Sequence, residues 1–387
     1  MDNFIYYNPC KIYFGKGEIV KLKTAIAQHK KILMLYGGGS IKRNGIYEKV
    51  CDTLKSHYFL EFGGIEVNPE YKTCMSVVNF IKENDLDFIL AVGGGSVIDA
   101  AKFIAVACKY SGNDPWDIIS KELDVKEALP IGSVLTLAAT GSEMNANSVI
   151  SRSELKQKSS FCHDKMFPQF SILDPEFTYT LPKKQIANGV VDAFVHVMEQ
   201  YLTYPQKALL NDRFAEGILL TLIECGPKLL KDPKDYNAYA NFMWSTSLAL
   251  NTLISKGVVT DWATHIIGHQ LTAIHGLDHA QTLAIILPHI MQYKRKEKSA
   301  KLIQYAERVW QIDKNLSIEQ KINLAITKTI NFFEQIGNPV KISAYNLTES
   351  TNINQIIANL QAKNYTALGE NQDIKLTDVR KILEMSE

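Results

Sequence analysis

Residues 88–107 read FILAVGGGSVIDAAKFIAVA: five apolar residues, three glycines and a serine, then an alanine-rich run with helical spacing. A short, continuous apolar run that ends at glycine and leads into a helix is the pattern of a strand buried on both faces of a parallel sheet. The same grammar recurs on either side. Lys31–Leu35 (KILML) runs into Gly37, Gly38, Gly39 and Ser40, Ile131–Leu137 (IGSVLTL) ends in AATGSE, and Phe170–Leu173 stops at Asp174 and Pro175. Strands alternating with helices predict an α/β domain, and ligands of such sheets bind where the strands end.

Beyond Leu181 and Pro182 the pattern changes. Gln185–Tyr201, Asp212–Leu230, Tyr236–Leu253 and Ile318–Ile336 carry Leu, Ile, Ala and Phe at helical spacing, so residues 181–387 are expected to be all-helical and residues 1–180 α/β. A chain of 387 residues fits two such domains at roughly 100–200 residues each. The charge run Lys294–Lys298 (KRKEK) reads as a solvated helix face.

A formal net charge of +1 is too small for binding nucleic acid through bulk electrostatics. No run approaches the roughly 18 apolar residues of a membrane span. The opening MDNFIYYNPC lacks the basic head and apolar stretch of a secretory signal. The six cysteines are scattered without a paired motif, as in a reduced, cytoplasmic protein. The histidines behave differently: of nine, His265, His269, His275 and His279 fall within fifteen residues.

Glycines after a strand let backbone approach a phosphate, and the N–H groups of the next helix favour its charge. Gly93, Gly94, Gly95 and Ser96 fit a pyrophosphate cradle, although Ile98 stands where the dinucleotide fingerprint has its third glycine. Taken alone, the run is equally a tight-turn packing device. The hydroxyl-rich run Thr136–Ser142 at a second strand end tips the balance to a nucleotide. In the first loop, three glycines, Ser40, Lys42 and Arg43 precede any acid before Glu48, which favours NADP(H) over NAD(H). An ordinary helix-opening loop with solvated cations is the alternative.

Asp192 and His196, four apart, share one helix face, and His265 and His269 repeat the spacing, with His279 after a short loop. Each alone is more simply a packed or solvated side chain. Together, one carboxylate with two or three imidazoles and no thiolate suits catalytic Fe²⁺ or Zn²⁺ better than a structural zinc.

These features combine in one family. NPCKIYFGKGEI at 8–19, GGGSVIDAAK at 93–102, TLAATGSEMN at 136–145, LDPE at 173–176, DAFVHVMEQY at 192–201 and THIIGHQLTAIHGLDHAQT at 264–282 resemble the iron-containing, or group III, alcohol dehydrogenases over essentially the whole chain. YGGGSIKRNG at 36–45, HGLDHAQTLAIILP at 275–288 and LGENQDIKLTDVRKILE at 368–384 resemble the bacterial NADPH-dependent aldehyde reductase and butanol dehydrogenase branch. The resemblance implies a dehydroquinate synthase-like fold, with a dinucleotide-binding α/β domain, a helical metal-binding domain, and cofactor and metal in the cleft between. It implies Asp192, His196, His265 and His279 as metal ligands, and Gly94, Gly95 and Ser96 on the pyrophosphate. Asp99 is expected near the nicotinamide, Thr136, Thr140 and Ser142 along the cofactor, and Lys158 near the nicotinamide ribose. Where many relatives carry an acid at the first loop, this chain has Gly37, Gly38 and Gly39. A homodimer is implied as well.

The expected chemistry is reversible hydride transfer between NADP(H) and a small primary alcohol or aldehyde, with the metal as Lewis acid. His269 or His275 is the candidate proton relay and His163 a surface loop histidine without a role. A glycerol or polyol dehydrogenase or a metal-dependent cyclase of the same fold is a rival reading. A metallohydrolase without dinucleotide is another, which the glycine loops oppose.

Overall fold

The structure, a computed structural model, describes residues 1–155, 157–345 and 352–387. The chain divides into two compact units. One comprises Tyr7–Leu181 and Pro233–Ser247, the other Met1–Tyr6, Pro182–Asp232 and Leu248–Glu387. The change near residue 180 therefore reappears as a boundary, but two segments, Met1–Tyr6 and Pro233–Ser247, each group with the unit on the other side of it.

The α/β unit begins with β1 (Lys11–Phe14), α1 (Leu22–Ala25), β2 (Lys31–Tyr36), α2 (Ile46–Leu54), β3 (Tyr58–Phe62), α3 (Tyr71–Glu83), β4 (Phe88–Gly93) and α4 (Gly95–Ala107). It continues through α5 (Trp116–Ser120), β5 (Ile131–Leu135), the antiparallel hairpin of β6 (Asn147–Arg152) and β7 (Gln157–Cys162), and β8 (Phe170–Leu173). Six strands form one sheet in the order β1-β8-β5-β4-β2-β3, and every neighbouring pair is parallel. The apolar runs are central strands: Ile32–Leu35 and Ile89–Val92 are fully buried. Each of these side chains except Ala91 contributes roughly 1.5–3 kcal/mol on leaving water. From β2 the chain steps outward to β3, then crosses back to β4 on the other side of β2. That reversal opens a crevice at the carboxyl ends of β2 and β4, where the loops Gly37–Gly39 and Gly93–Gly95 lie.

The helical unit contains α6 (Lys183–Tyr201) and α7 (Leu209–Lys231), followed, after α8 (Tyr236–Ala249), by α9 (Ala263–His275), α10 (His279–Tyr293), α11 (Ser299–Arg308), α12 (Ile318–Gln335), α13 (Ile353–Ala362) and α14 (Leu376–Ser386). Most of α8 groups with the α/β unit, where Ser247 donates to Glu143 and Tyr239 packs edge-on against Tyr179. In the helical unit α6 packs against α7 and α10, and α9 against α10, over a core that includes Ile267, Leu271, Ile286 and Ile382. The unit is not purely helical, because Ala367–Leu368 (β9) and Ile374–Lys375 (β10) form a small antiparallel hairpin. Among the described residues no helix is long and apolar enough to cross a membrane.

The run Lys294–Lys298 departs from the expectation of a solvated helix face. It is a turn after α10, and two of its lysines are buried: Lys294 pairs with Asp373 at 2.8 Å, while Lys298 pairs with Asp261 and Glu370 at 2.7 Å and donates to Leu202 O. A charge run from a turn can face inward where carboxylates meet it, and here they do.

Gly132 marks a tight point of the sheet. A Cβ there would come within 2.4 Å of the Phe170 ring, which lies across β5 and stacks on Phe88. Gly132→Ala is expected to lower the unfolding free energy by about 1–3 kcal/mol through overpacking, measured as a shift in urea midpoint at unchanged slope.

Candidate metal centre and cofactor loops

Helix α6 carries Asp192 and His196 one turn apart, both about 5% exposed, and α6 is apolar around them because Val190, Val191, Ala193, Phe194, Val195 and Val197 are buried. Helix α9 brings His265 and His269, and His279 is the first residue of α10, with Gly276 in the left-handed region ending α9 between them. Side-chain donor atoms of Asp192, His265 and His279 lie within 4.8 Å of one another. His196 adjoins this trio: its Nδ1 is 3.7 Å from Asp192 Oδ1 and its ring stacks on His265 with centroids 4.7 Å apart. His279 Nε2 is 3.8 Å from the same Asp192 oxygen. These separations exceed hydrogen-bond lengths, yet they suit donors that share one ion.

The donor chemistry fits a divalent metal. Burial pulls His196 down to about 4, against the opposing pull of Asp192, so its imidazole is neutral at physiological pH, the form that ligates. His265 Nδ1 lies 3.0 Å from Glu199 Oε1, which also accepts the His265 backbone N–H at 3.0 Å. Burial pushes the Glu199 carboxyl well above the usual carboxylate range, but its Oε1 already accepts the backbone N–H and is placed to accept Nδ1–H as well, the tautomer that offers Nε2 to the cluster. Glu199 was absent from the expected site. As a glutamate near a helix end it looks solvated, and the available signal was its place seven residues after Asp192 and three after His196, on the same face. His269 lies beside the centre, its ring 4.9 Å from His279 and 6.4 Å from His265. His275 is the last residue of α9.

In the α/β unit, Gly37, Gly38 and Gly39 follow β2, with Gly39 at φ 83°. An added Cβ at Gly38 or Gly39 would meet nothing within 4 Å, so the backbone faces open space. After β4, Gly94 is extended and the amides of Gly95 and Ser96 open α4; a Cβ on Gly95 would sit 2.4 Å from Thr140 Oγ1. The two loops are therefore in contact through a position that only glycine fits. Thr140 Oγ1 accepts the Ser142 N–H at 3.2 Å, and Thr136 N donates to Gly93 O. Ser96 donates to Val67 O, and Lys158, on β7, to Asn68 Oδ1 at 2.8 Å. Amides that open a helix after glycine, as at Gly95 and Ser96, match what a bound pyrophosphate requires.

Two of the expected cofactor residues, Asp99 and Ser142, hydrogen-bond to the protein. Asp99 accepts Ser142 Oγ–H at 2.5 Å and Val149 N–H at 3.0 Å, and Lys102 donates to Ser142, Asn145 and Asn147 O. Burial raises the Asp99 pKa and pulls the Lys102 ammonium down to about 8. Asp99 thus ties α4 to the Thr140–Ser142 loop and to β6.

The first loop also holds a carboxylate that sequence order hides. Parallel pairing sets Met34 opposite Glu61, and Glu61 reaches Lys42 at 3.4 Å. Lys42 further lies over the rings of Tyr36 and Tyr47 and is pushed up to about 12, mainly by the Tyr36 hydrogen bond. Arg43 makes no ion pair among the described residues. His163, expected to be idle in a loop, caps the turn Asp164–Met166 by accepting Lys165 N–H and meets Asp124 at 3.0 Å.

Residues 9–175 match the family described as iron-containing alcohol dehydrogenase, and residues 186–386 match the C-terminal part of the Fe-containing alcohol dehydrogenase family. The chain is 53% identical over 386 residues to the NADPH-dependent aldehyde reductase YqhD of Escherichia coli, covering 99% of each. It is 42% identical over 354 residues to NADH-dependent butanol dehydrogenase B of Clostridium acetobutylicum, covering 90% of each. A crystal structure of E. coli YqhD superposes with a TM-score of 0.98 at 52% identity, over 100% of this chain and 99% of that one. The chain belongs to the iron-containing alcohol dehydrogenase family, as an oxidoreductase.

Proposed function

We propose that this oxidoreductase reduces aldehydes to primary alcohols, reversibly, by passing a hydride between NADP(H) and the substrate carbon at a centre that holds Fe²⁺ or Zn²⁺. The observation that carries this reading is the convergence of Asp192, His265 and His279 within 4.8 Å, beside His196, in a chain of this family. An NADPH-dependent aldehyde reductase at 53% identity supports the cofactor and substrate class. The reading extends to a homodimer in the cytoplasm.

Asp192, His196, His265 and His279 are assigned as the ligands. Bound there, a divalent ion supplies Lewis acidity toward the oxygen of the aldehyde or alcohol. Asp192 gives the set its one formal negative charge, and Glu199 keeps His265 in the tautomer that presents Nε2. Reduction delivers a hydride from the reduced cofactor to the carbonyl carbon and a proton to the oxygen. His269, adjacent to His279, is assigned the proton transfer, because an imidazole can both donate and accept a proton.

Gly94, Gly95 and Ser96 take the pyrophosphate, and Thr136, Thr140 and Lys158 line the cofactor's path. Asp99 and Ser142 act as positioning residues through the Thr140 loop, since their polar atoms are already engaged. Gly37, Gly38, Gly39 and Ser40 take the adenosine end. There Lys42 and Glu61 offset each other, and Arg43 leaves the loop one positive charge in excess, which suits a 2′-phosphate.

His265→Ala is expected to lose bound metal and butanal reduction together after anaerobic reconstitution; turnover at the wild-type rate without metal would refute the mechanism. Glu199→Ala is expected to weaken metal binding by roughly 10–100-fold, read by chelator competition. Arg43→Ala is expected to raise KM for NADPH about tenfold, the loss of a charge-assisted hydrogen bond of roughly 1.5 kcal/mol, with KM for NADH unchanged. Wild-type activity confined to NADH would overturn the cofactor assignment.

A further inference from the structure

Trp262, the residue before α9, stands at φ 67° and ψ 4°, in the left-handed region. Eight non-glycine residues have positive φ among the described residues, and Trp262 is the only aromatic one. Bulky side chains rarely adopt this conformation, and glycine or asparagine would meet the demands of the turn.

Helix capping does not explain the tryptophan. The first amides of α9 are taken by others: Ala263 N–H by Asp261 Oδ1 at 2.8 Å and His265 N–H by Glu199 Oε1 at 3.0 Å. Trp262 supplies no side-chain cap. What its backbone conformation does achieve is the placement of the half-buried indole. The ring stands edge-on to His265, with centroids 5.2 Å apart at 68°, and to His196 at 6.4 Å and 61°. Indole Nε1 donates to Thr260 Oγ1 at 2.8 Å, which fixes the rotation of the ring. The two imidazoles it meets are themselves stacked 4.7 Å apart at 27°.

We propose that Trp262 is a positioning residue of the metal centre: its indole holds the stacked imidazoles of His196 and His265 in the orientation that ligates. This rests on the assignment of both histidines as ligands. The Glu199 hydrogen bond, the His196 stack and the indole edge then act together on the His265 ring. Rings that cannot tilt lose less freedom when an ion binds, so affinity is raised before any ion arrives. Backbone strain at the tryptophan is retained because the side chain serves the site.

The test uses Co²⁺ as the probe, with affinity from chelator competition and ligand geometry from the visible bands of the Co²⁺ protein. Trp262→Phe keeps a ring edge and is expected to bind Co²⁺ within about threefold of wild type, whereas Trp262→Leu and Trp262→Gly are expected to lose roughly tenfold or more and to shift the bands. Trp262→Gly, relieved of strain, is expected to unfold at a urea concentration no lower than Trp262→Leu when metal-free. Leucine keeps bulk without a ring, so the comparison stands if the glycine variant folds poorly. Wild-type affinity and bands in Trp262→Leu would overturn the proposal. A wild-type chain that takes up no Co²⁺ would overturn the metal assignment itself, a separate result.

Discussion

The bond between His265 Nδ1 and Glu199 Oε1 decides which nitrogen α9 offers to α6 and α10. Much of the helical unit is arranged around keeping Glu199 in place. Its backbone carbonyl accepts Asp261 N–H, and Asp261 pairs with the buried Lys298, which also reaches Leu202 O just past the end of α6 and Glu370 on the β9–β10 connection. A buried lysine is costly unless every donor finds an acceptor. Lys298 meets that condition with two carboxylates and a carbonyl, so the end of α6, the start of α9 and the C-terminal hairpin are clamped at one point. A loosened clamp would move Glu199, and with it the tautomer and tilt of His265.

How much of this could be read beforehand depended on whether the signal was local. The parallel strands were legible because burial on both faces demands unbroken apolar runs, and glycine marks their ends. The β6–β7 hairpin was not, since NSVISR and QKSSFC form a ribbon with partly exposed, largely polar faces. Nor was β9–β10, whose strands are two residues each. Asp192 and His196 were legible by helical spacing. Glu61 was not, because only the register of β2 against β3 brings it to a loop that ends near residue 43. Lys298 was misread because a run of charges says nothing about the carboxylates that fold back onto it.

Two buried clusters of acids and bases, one around Lys102 and one around Asp192, are built by opposite means. In the α/β unit the three donors of Lys102 meet Ser142, Asn145 and Asn147 O, and Asp99 accepts from Ser142 and Val149. A network so fully hydrogen-bonded is rigid, and it ties the Thr140–Ser142 loop to α4 and β6. Around the histidines of the helical unit the short contact is the one to Glu199, whereas Asp192 stands 3.7 and 3.8 Å from His196 and His279. A carboxylate and imidazoles kept beyond hydrogen-bond distance of each other, inside apolar helices, are a poor way to stabilise a fold. They suit the proposed metal centre, whose donors need lone pairs directed at a common cation. The difference between a closed polar network and a spaced donor set is therefore what separates the hydrogen-bonded cluster around Lys102 from the proposed metal centre around Asp192, although both are buried and both combine acids with bases.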